Sequence, residues 1–106
     1  LHYPLRRQRQ MCIRDRLCRD DRFAVAALQA LREAGLSVPD DVAVIGWDDT
    51  ELGRYSYPTV TTVSPDKPGI AELAVNMLIE RINGQTGVGR HRLAPFSLVI
   101  RESAPD

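Results

Sequence analysis

At 106 residues, with 43% hydrophobic and 26% charged side chains and a formal net charge of zero, the chain has the composition of a soluble globular protein and room for one domain at most. A body this small buries only part of its unfolded surface, so a partner or a further segment would matter to it. No apolar run approaches the roughly 20 residues of a membrane span, which excludes a helical membrane protein.

The neutral total hides an asymmetry: residues 1–19 carry six Arg against one Asp, and residues 20–106 carry eight basic against thirteen acidic side chains. Residues 1–16 show neither helical nor alternating periodicity, and the basic start plus apolar core of a secretory signal is missing. A basic arm that neutralises phosphates is one reading. The other rests on Met11-Cys12-Ile13-Arg14-Asp15-Arg16, which resembles a peptide that recurs where sequencing-adaptor DNA is translated at the start of a reading frame. Residues 1–16 are accordingly expected to be a non-native or disordered arm, with native sequence from about Leu17 or Cys18. Cys12 and Cys18 lack the spacing and the neighbouring ligands of a zinc box, so no metal site is expected.

From residue 20 the elements follow in order. Asp20-Asp21 precedes an Ala/Leu-rich stretch that Gly35 closes, the pattern of a capped helix with a left-handed C′ residue. Between Phe23 and Leu28 this helix is apolar all round, which implies a second buried face. Val38-Pro39-Asp40-Asp41 is a short polar connection, and Val42–Ile45 is a continuous apolar run that suits a strand covered on both faces. Gly46 then permits a close backbone approach, and Asp48-Asp49 demand a polar crevice at the strand's carboxyl end. Residues 50–59 have no strong period. Val60–Val63 reads as a short strand, Ser64-Pro65-Asp66-Lys67-Pro68 as a helix start, and Ile70, Leu73, Ala74, Met77, Leu78 and Ile82 as one apolar helical face. Asn83-Gly84 ends that helix; Phe96–Ile100 is a final strand before a polar tail. Helix and strand in this alternation predict an α/β fold.

A strand ending in paired carboxylates has several chemistries open to it: Mg²⁺ binding, phosphoryl transfer, or hydrogen bonding to ligand hydroxyls. Either Asp may instead cap the turn that follows. A phosphotransfer site would need a further carboxylate and a Lys or Thr converging on Asp48, and Lys67 is the only lysine. His2 and His91 have no Ser, Cys or acid arranged with them, and Arg90-His91-Arg92 reads as a solvated loop. No catalytic residue and no cofactor is assigned.

Arg19-Asp20-Asp21-Arg22-Phe23-Ala24, the run from Ala34 to Thr50 containing Val38-Pro39-Asp40-Asp41-Val42 and Gly46-Trp47-Asp48-Asp49, Thr61-Thr62-Val63, and Leu98-Val99-Ile100-Arg101-Glu102-Ser103 occur in that order. Together they resemble the end of a LacI/GalR (lac-repressor-family) transcriptional regulator, over about residues 17–106. The resemblance implies part of a periplasmic-binding-protein-like (type I) lobe, a mostly parallel sheet flanked by helices, from an effector-binding and dimerisation domain. The first lobe and the helix-turn-helix are expected to lie outside this chain, and operator DNA to be bound only through that headpiece.

By position, the resemblance makes Asp48 the effector-contacting acid, since a carboxylate can accept from two adjacent sugar hydroxyls. Trp47 takes the neighbouring aromatic position, either packing near a sugar's apolar face or sitting in the core with its N–H satisfied. Asp20 stands where the family usually has an effector-contacting Asn; with Asp48 it would make a pair whose repulsion raises one pKa, which suits a polyol or amine-bearing effector. Pro65 stands where some members place a polar contact and has no side-chain hydrogen bond to give. Ala24, Ala27 and Leu28 on the first helix, with Leu52, Tyr55 and Tyr57, match the homodimer surfaces, although exposed loop tyrosines would serve as well. The implied protein is a cytoplasmic, non-enzymatic, sugar-responsive repressor with no membrane partner; a periplasmic sugar-binding protein of a transport system is the alternative.

Overall fold

The computed structural model describes residues 15–105. In chain order its elements are β1 (Asp15–Leu17), α1 (Asp21–Glu33), β2 (Ala43–Trp47), α2 (Glu51–Tyr55), β3 (Thr61–Pro65), α3 (Lys67–Ile82) and β4 (Phe96–Val99). The strands form one sheet in the order β1-β2-β3-β4. β1 runs parallel to β2 with Leu17 opposite Ile45, and β2 parallel to β3 with Ile45 opposite Thr61. The α/β class read from the sequence is the class observed. Two compact units make up the chain, residues 15–64 with 98–105, and Pro65–Ser97.

β1 has no counterpart among the predicted elements. Its residues are all exposed, so no apolar pattern marks it; it is a strand because its backbone pairs with β2, a ladder that the Cys18 N–H extends to the Ile45 carbonyl at 2.8 Å. β1 takes in Asp15 and Arg16, the last two residues assigned to the arm. The rest of that arm, with His2 and Cys12, lies outside the described residues.

α1 starts where Asp20 leaves extended backbone and its carboxylate accepts the Phe23 N–H at 3.1 Å, and Gly35 closes it with φ +78°. Asp21, Ala24 and Leu28 share the inward face, and Ala24 and Leu28 join Val42, Val44 and Val60 in the core. Each of the larger side chains there contributes about 1.5–3 kcal/mol by leaving water. The second buried face predicted for α1 is not covered by the described chain: Phe23 is 51% exposed, with the Arg19 guanidinium 5.7 Å above its ring, and Ala26 is exposed. β2 departs from expectation in the same way. Val44 and Gly46 are buried against α1, whereas Ala43 and Ile45 on the opposite face are only half-buried.

The predicted polar tail is a structural clamp. Ser103 is fully buried; its hydroxyl accepts the Thr61 N–H (2.8 Å) and donates to the Val44 carbonyl (2.5 Å), bridging β2 and β3. The Thr61 hydroxyl donates to the Ala104 carbonyl and accepts the Arg101 N–H, both at 2.8 Å.

In the second unit, α3 is capped by Asp66, whose carboxylate accepts the Gly69 N–H at 3.1 Å. α3 has no buried residue, and Leu73 and Met77 of its apolar face are half-buried. That face and the segment Arg90–Ala94 line a groove of about 450 Å³. In the Arg90-His91-Arg92 loop, His91 and Arg92 are exposed and Arg90 is ion-paired with Glu80. No helix among the described residues is long and apolar enough to cross a membrane.

Candidate functional site

Because β1, β2 and β3 run parallel, their carboxyl ends lie along one edge of the sheet, the place where open α/β sheets receive ligands. Asp20 follows β1, and Trp47 is the last residue of β2, with Asp48 and Asp49 immediately after it. Trp47 is 42% exposed, so its indole is not a core side chain. Asp48 and Asp49 are half-buried, and both have left-handed backbone, φ +94° and +52°. Two consecutive non-glycine residues there cost roughly 1–3 kcal/mol each, tolerated best by Asp and Asn and only where surrounding bonds fix them.

Those bonds are present. The Asp48 N–H donates to the Val63 carbonyl (2.9 Å) and the Asp49 N–H to the Thr62 hydroxyl (3.3 Å). The Asp49 carboxylate takes the Arg101 guanidinium at 2.7 Å, Arg54 Nε at 3.4 Å and the Ser64 hydroxyl at 3.3 Å. The hydrogen bond from Arg101 is the main cause that holds the Asp49 carboxyl below its ordinary pKa, against the opposing effect of burial. Asp49 is thus committed to the protein.

Asp21, read from sequence only as part of a capping pair, is the polar centre beneath this edge. Its side chain is fully buried, one oxygen accepting the Thr62 hydroxyl (2.8 Å) and the other the Thr50 N–H (2.6 Å) and hydroxyl (3.0 Å). The carboxylate therefore ties α1 to β3 and to the segment after Asp49. The close approach that Gly46 permits is to this group: a Cβ at Gly46 would overlap the Asp21 carboxylate. Gly53 in α2 faces it from the other side, where a Cβ would stand 3.3 Å from Asp21 Oδ2 and 3.2 Å from Val60 Cβ. α2 is hidden from propensity, because a five-residue helix with a central glycine has no local signal.

Asp20 divides its carboxylate between two tasks. One oxygen caps α1 through the Phe23 N–H, and the other lies 3.5 Å from the Arg22 guanidinium. The Phe23 N–H is the main cause that lowers its pKa, against the opposing effect of burial. Asp20 and Asp48 thus stand just past the carboxyl ends of β1 and β2, and the half-exposed Trp47 ends β2. Carboxylates accept from hydroxyls and ammonium groups, and an indole face packs on C–H surface.

The six positions expected at a dimer surface divide. Ala24 and Leu28 correct that expectation, because both face the chain's own core and leave a partner almost nothing to touch. Ala27 is half-buried, and Leu52, Tyr55 and Tyr57 are exposed, the two tyrosines by 84% and 81%. Phe23 and Ala26, not Ala24 and Leu28, form the open apolar face of α1. Among the residues sequence reasoning missed, Asp21 was signalled by the glycine at 46; Arg101 lay in a segment read as tail and was marked only as part of the family resemblance.

The profile of the periplasmic binding protein-like domain family matches residues 16–104. The ribose operon repressor of Haemophilus influenzae is 37% identical over 86 residues, which are 81% of this chain and 26% of that protein. The chain thus spans about a quarter of that relative's length. Among solved structures, the complex of the transcriptional regulator CelR with cellobiose superposes with a TM-score of 0.79 at 31% identity, over 86% of this chain and 28% of that one. The lac repressor dimer bound to operator and an anti-inducer gives a TM-score of 0.76 at 34% identity, over 86% of this chain and 32% of that one.

Proposed function

Because the chain belongs to the periplasmic-binding-protein-like sensor domains of the LacI/GalR-type transcriptional regulators, we propose that it is the effector-sensing and dimerising part of a sugar-responsive repressor acting in the cytoplasm. The effector is a sugar or a related small polar metabolite, received at the carboxyl edge of β1 and β2. Asp48 accepts hydroxyls of the effector, Asp20 offers the oxygen of its carboxylate that does not cap α1, and Trp47 packs on the effector's apolar face. The observation that supports this reading is the edge itself, where the parallel strands β1 and β2 end and are followed by Asp20 and by Asp48, with the half-exposed Trp47 as the last residue of β2.

Residues 17–106 are the C-terminal part of the effector-binding and dimerisation domain in this reading, Asp15 and Arg16 join it through β1, and residues 1–14 are an arm outside it. DNA is bound through a helix-turn-helix beyond the chain, and effector binding shifts the population of lobe arrangements that set the spacing of the DNA-binding heads. A second copy docks on the open face of α1 and on Leu52, Tyr55 and Tyr57. Ala27 stands at the margin of that face. The reading as a repressor rather than a transport protein follows the relatives, which are named as operon repressors and transcriptional regulators.

Trp47 is the chain's only tryptophan and adjoins Asp48, so its fluorescence reports directly on this edge. Titration of the chain with D-ribose, lactose, cellobiose and sucrose is expected to shift Trp47 emission saturably for at least one sugar, and Asp48→Asn to abolish the shift with the far-ultraviolet circular dichroism unchanged. Silence of Trp47 towards every sugar, or an Asp48→Asn protein that responds as the parent does, contradicts the reading.

A further inference from the structure

The geometry points to Arg101 as the positioning residue of the effector edge: acting through Asp49, it holds the left-handed turn at Asp48 in the form that receives ligand. The inference rests on the reading of Asp48 as the effector acceptor. Asp48 has φ +94°, a conformation an L residue rarely holds unaided, and the next residue also lies in the left-handed region. The turn needs an external brace: Asp21 supports it from beneath through Thr50 and Thr62, and Arg101, 52 positions away in the chain, is the charged side chain that bonds the Asp49 carboxylate directly at 2.7 Å.

Arg101 is itself fixed at three points. Its N–H donates to the Thr61 hydroxyl at 2.8 Å, one guanidinium nitrogen donates to the Val60 carbonyl at 3.0 Å, and the other to Asp49 Oδ1 at 2.7 Å. Both Arg101 and Asp49 are mostly shielded, with side chains 17% and 16% exposed. The clamp formed by Ser103 and Thr61 sits directly beyond, so the guanidinium is carried on a segment anchored to both β2 and β3. Arg54 also reaches Asp49, but at 3.4 Å and from a side chain that is 48% exposed, so it is the weaker tie. A planar guanidinium that bonds a carbonyl and a carboxylate at once fixes orientation in a way a point charge does not. The residue thus sets the shape of the effector acceptor without touching effector.

The test is a double-mutant cycle on the full chain, read by sugar-induced change in Trp47 emission with D-ribose, lactose, cellobiose and sucrose as probes. Arg101→Gln and Asp49→Asn are each expected to weaken binding of the responsive sugar about tenfold, and the double variant no further than the weaker single variant. Arg101→Lys, which keeps the charge and loses the fork, recovers part of the affinity. A general structural role would instead make the two losses add and leave Lys no better than Gln. Equal affinity of Arg101→Gln and the parent overturns the proposal; where Arg101→Gln fails to fold, parental affinity in either Asp49→Asn or Arg101→Lys, the one for lack of any effect and the other for lack of any need for the fork, overturns it. A parent chain silent to every sugar defeats the effector-site reading and the positioning role with it, whereas a responsive parent with insensitive variants defeats the positioning role alone.

Discussion

Asp49 and Asp20 both hold their carboxyls below the ordinary range, Asp49 chiefly through Arg101 and Asp20 chiefly through the Phe23 N–H. A folded pKa below the unfolded one, near about 4 for Asp, contributes stability that is complete above that value and is lost as pH falls through the lowered folded value. Urea midpoints are therefore expected to be level at neutral pH and to fall below about pH 4, with a shallower acid limb in Asp49→Asn. At Gly46, a methyl group would meet the buried, triply bonded Asp21 carboxylate, so Gly46→Ala should lower stability by about 1–3 kcal/mol in urea denaturation. A parental midpoint in Gly46→Ala contradicts that packing. The need for close approach at Gly46 and the polar demand of Asp48 were legible in the sequence, because each is a property of one residue at a strand end. The different fates of Asp20 and Asp21 were not: two adjacent carboxylates before a helix look alike until the phase of α1 against β2 turns one inward.

Elements differ in how firmly they are held. β2 lies between β1 and β3 and is packed by α1, with Val44 and, just before the strand, Val42 in the core, whereas α3 contributes no buried residue. Hydrogen exchange is expected to show amides of β2 and the inward face of α1 as the slowest, and α3 exchanging well before them; uniform protection across α1 and α3 would refute this ordering. α1, β2, β3, α3 and β4 were readable because caps, glycine stops and apolar periods are local. β1 and α2 were not. β1 exists only as a backbone partner of β2, and α2 is held by the fit of Gly53 between Val60 and Asp21. Ser103 was read as tail because its role lies in bridging strands some 40 and 59 positions earlier.

At the scale of the whole molecule, the exposed side chains include Phe23, Leu52, Tyr55 and Tyr57 in one unit and Ile70, Leu78 and Ile82 in the other. Exposed apolar surface of this extent predicts self-association, checked as a sedimentation coefficient that rises with protein concentration; a concentration-independent monomer would contradict it. The same surface explains why continuous apolarity in β2 and all-round apolarity in α1 overstate the burial seen here, since those patterns describe faces the described residues leave open. The central claim is that ligand enters at the carboxyl edge of β1 and β2 rather than at the groove beside α3. Amide chemical-shift mapping of the ¹⁵N-labelled chain titrated with D-ribose, lactose and cellobiose tests it most directly. Shifts are expected to concentrate at Arg19–Asp20 and Trp47–Thr50; shifts confined to Ile70–Met77 and Arg90–Ala94, or none with any of the sugars, would contradict binding at that edge.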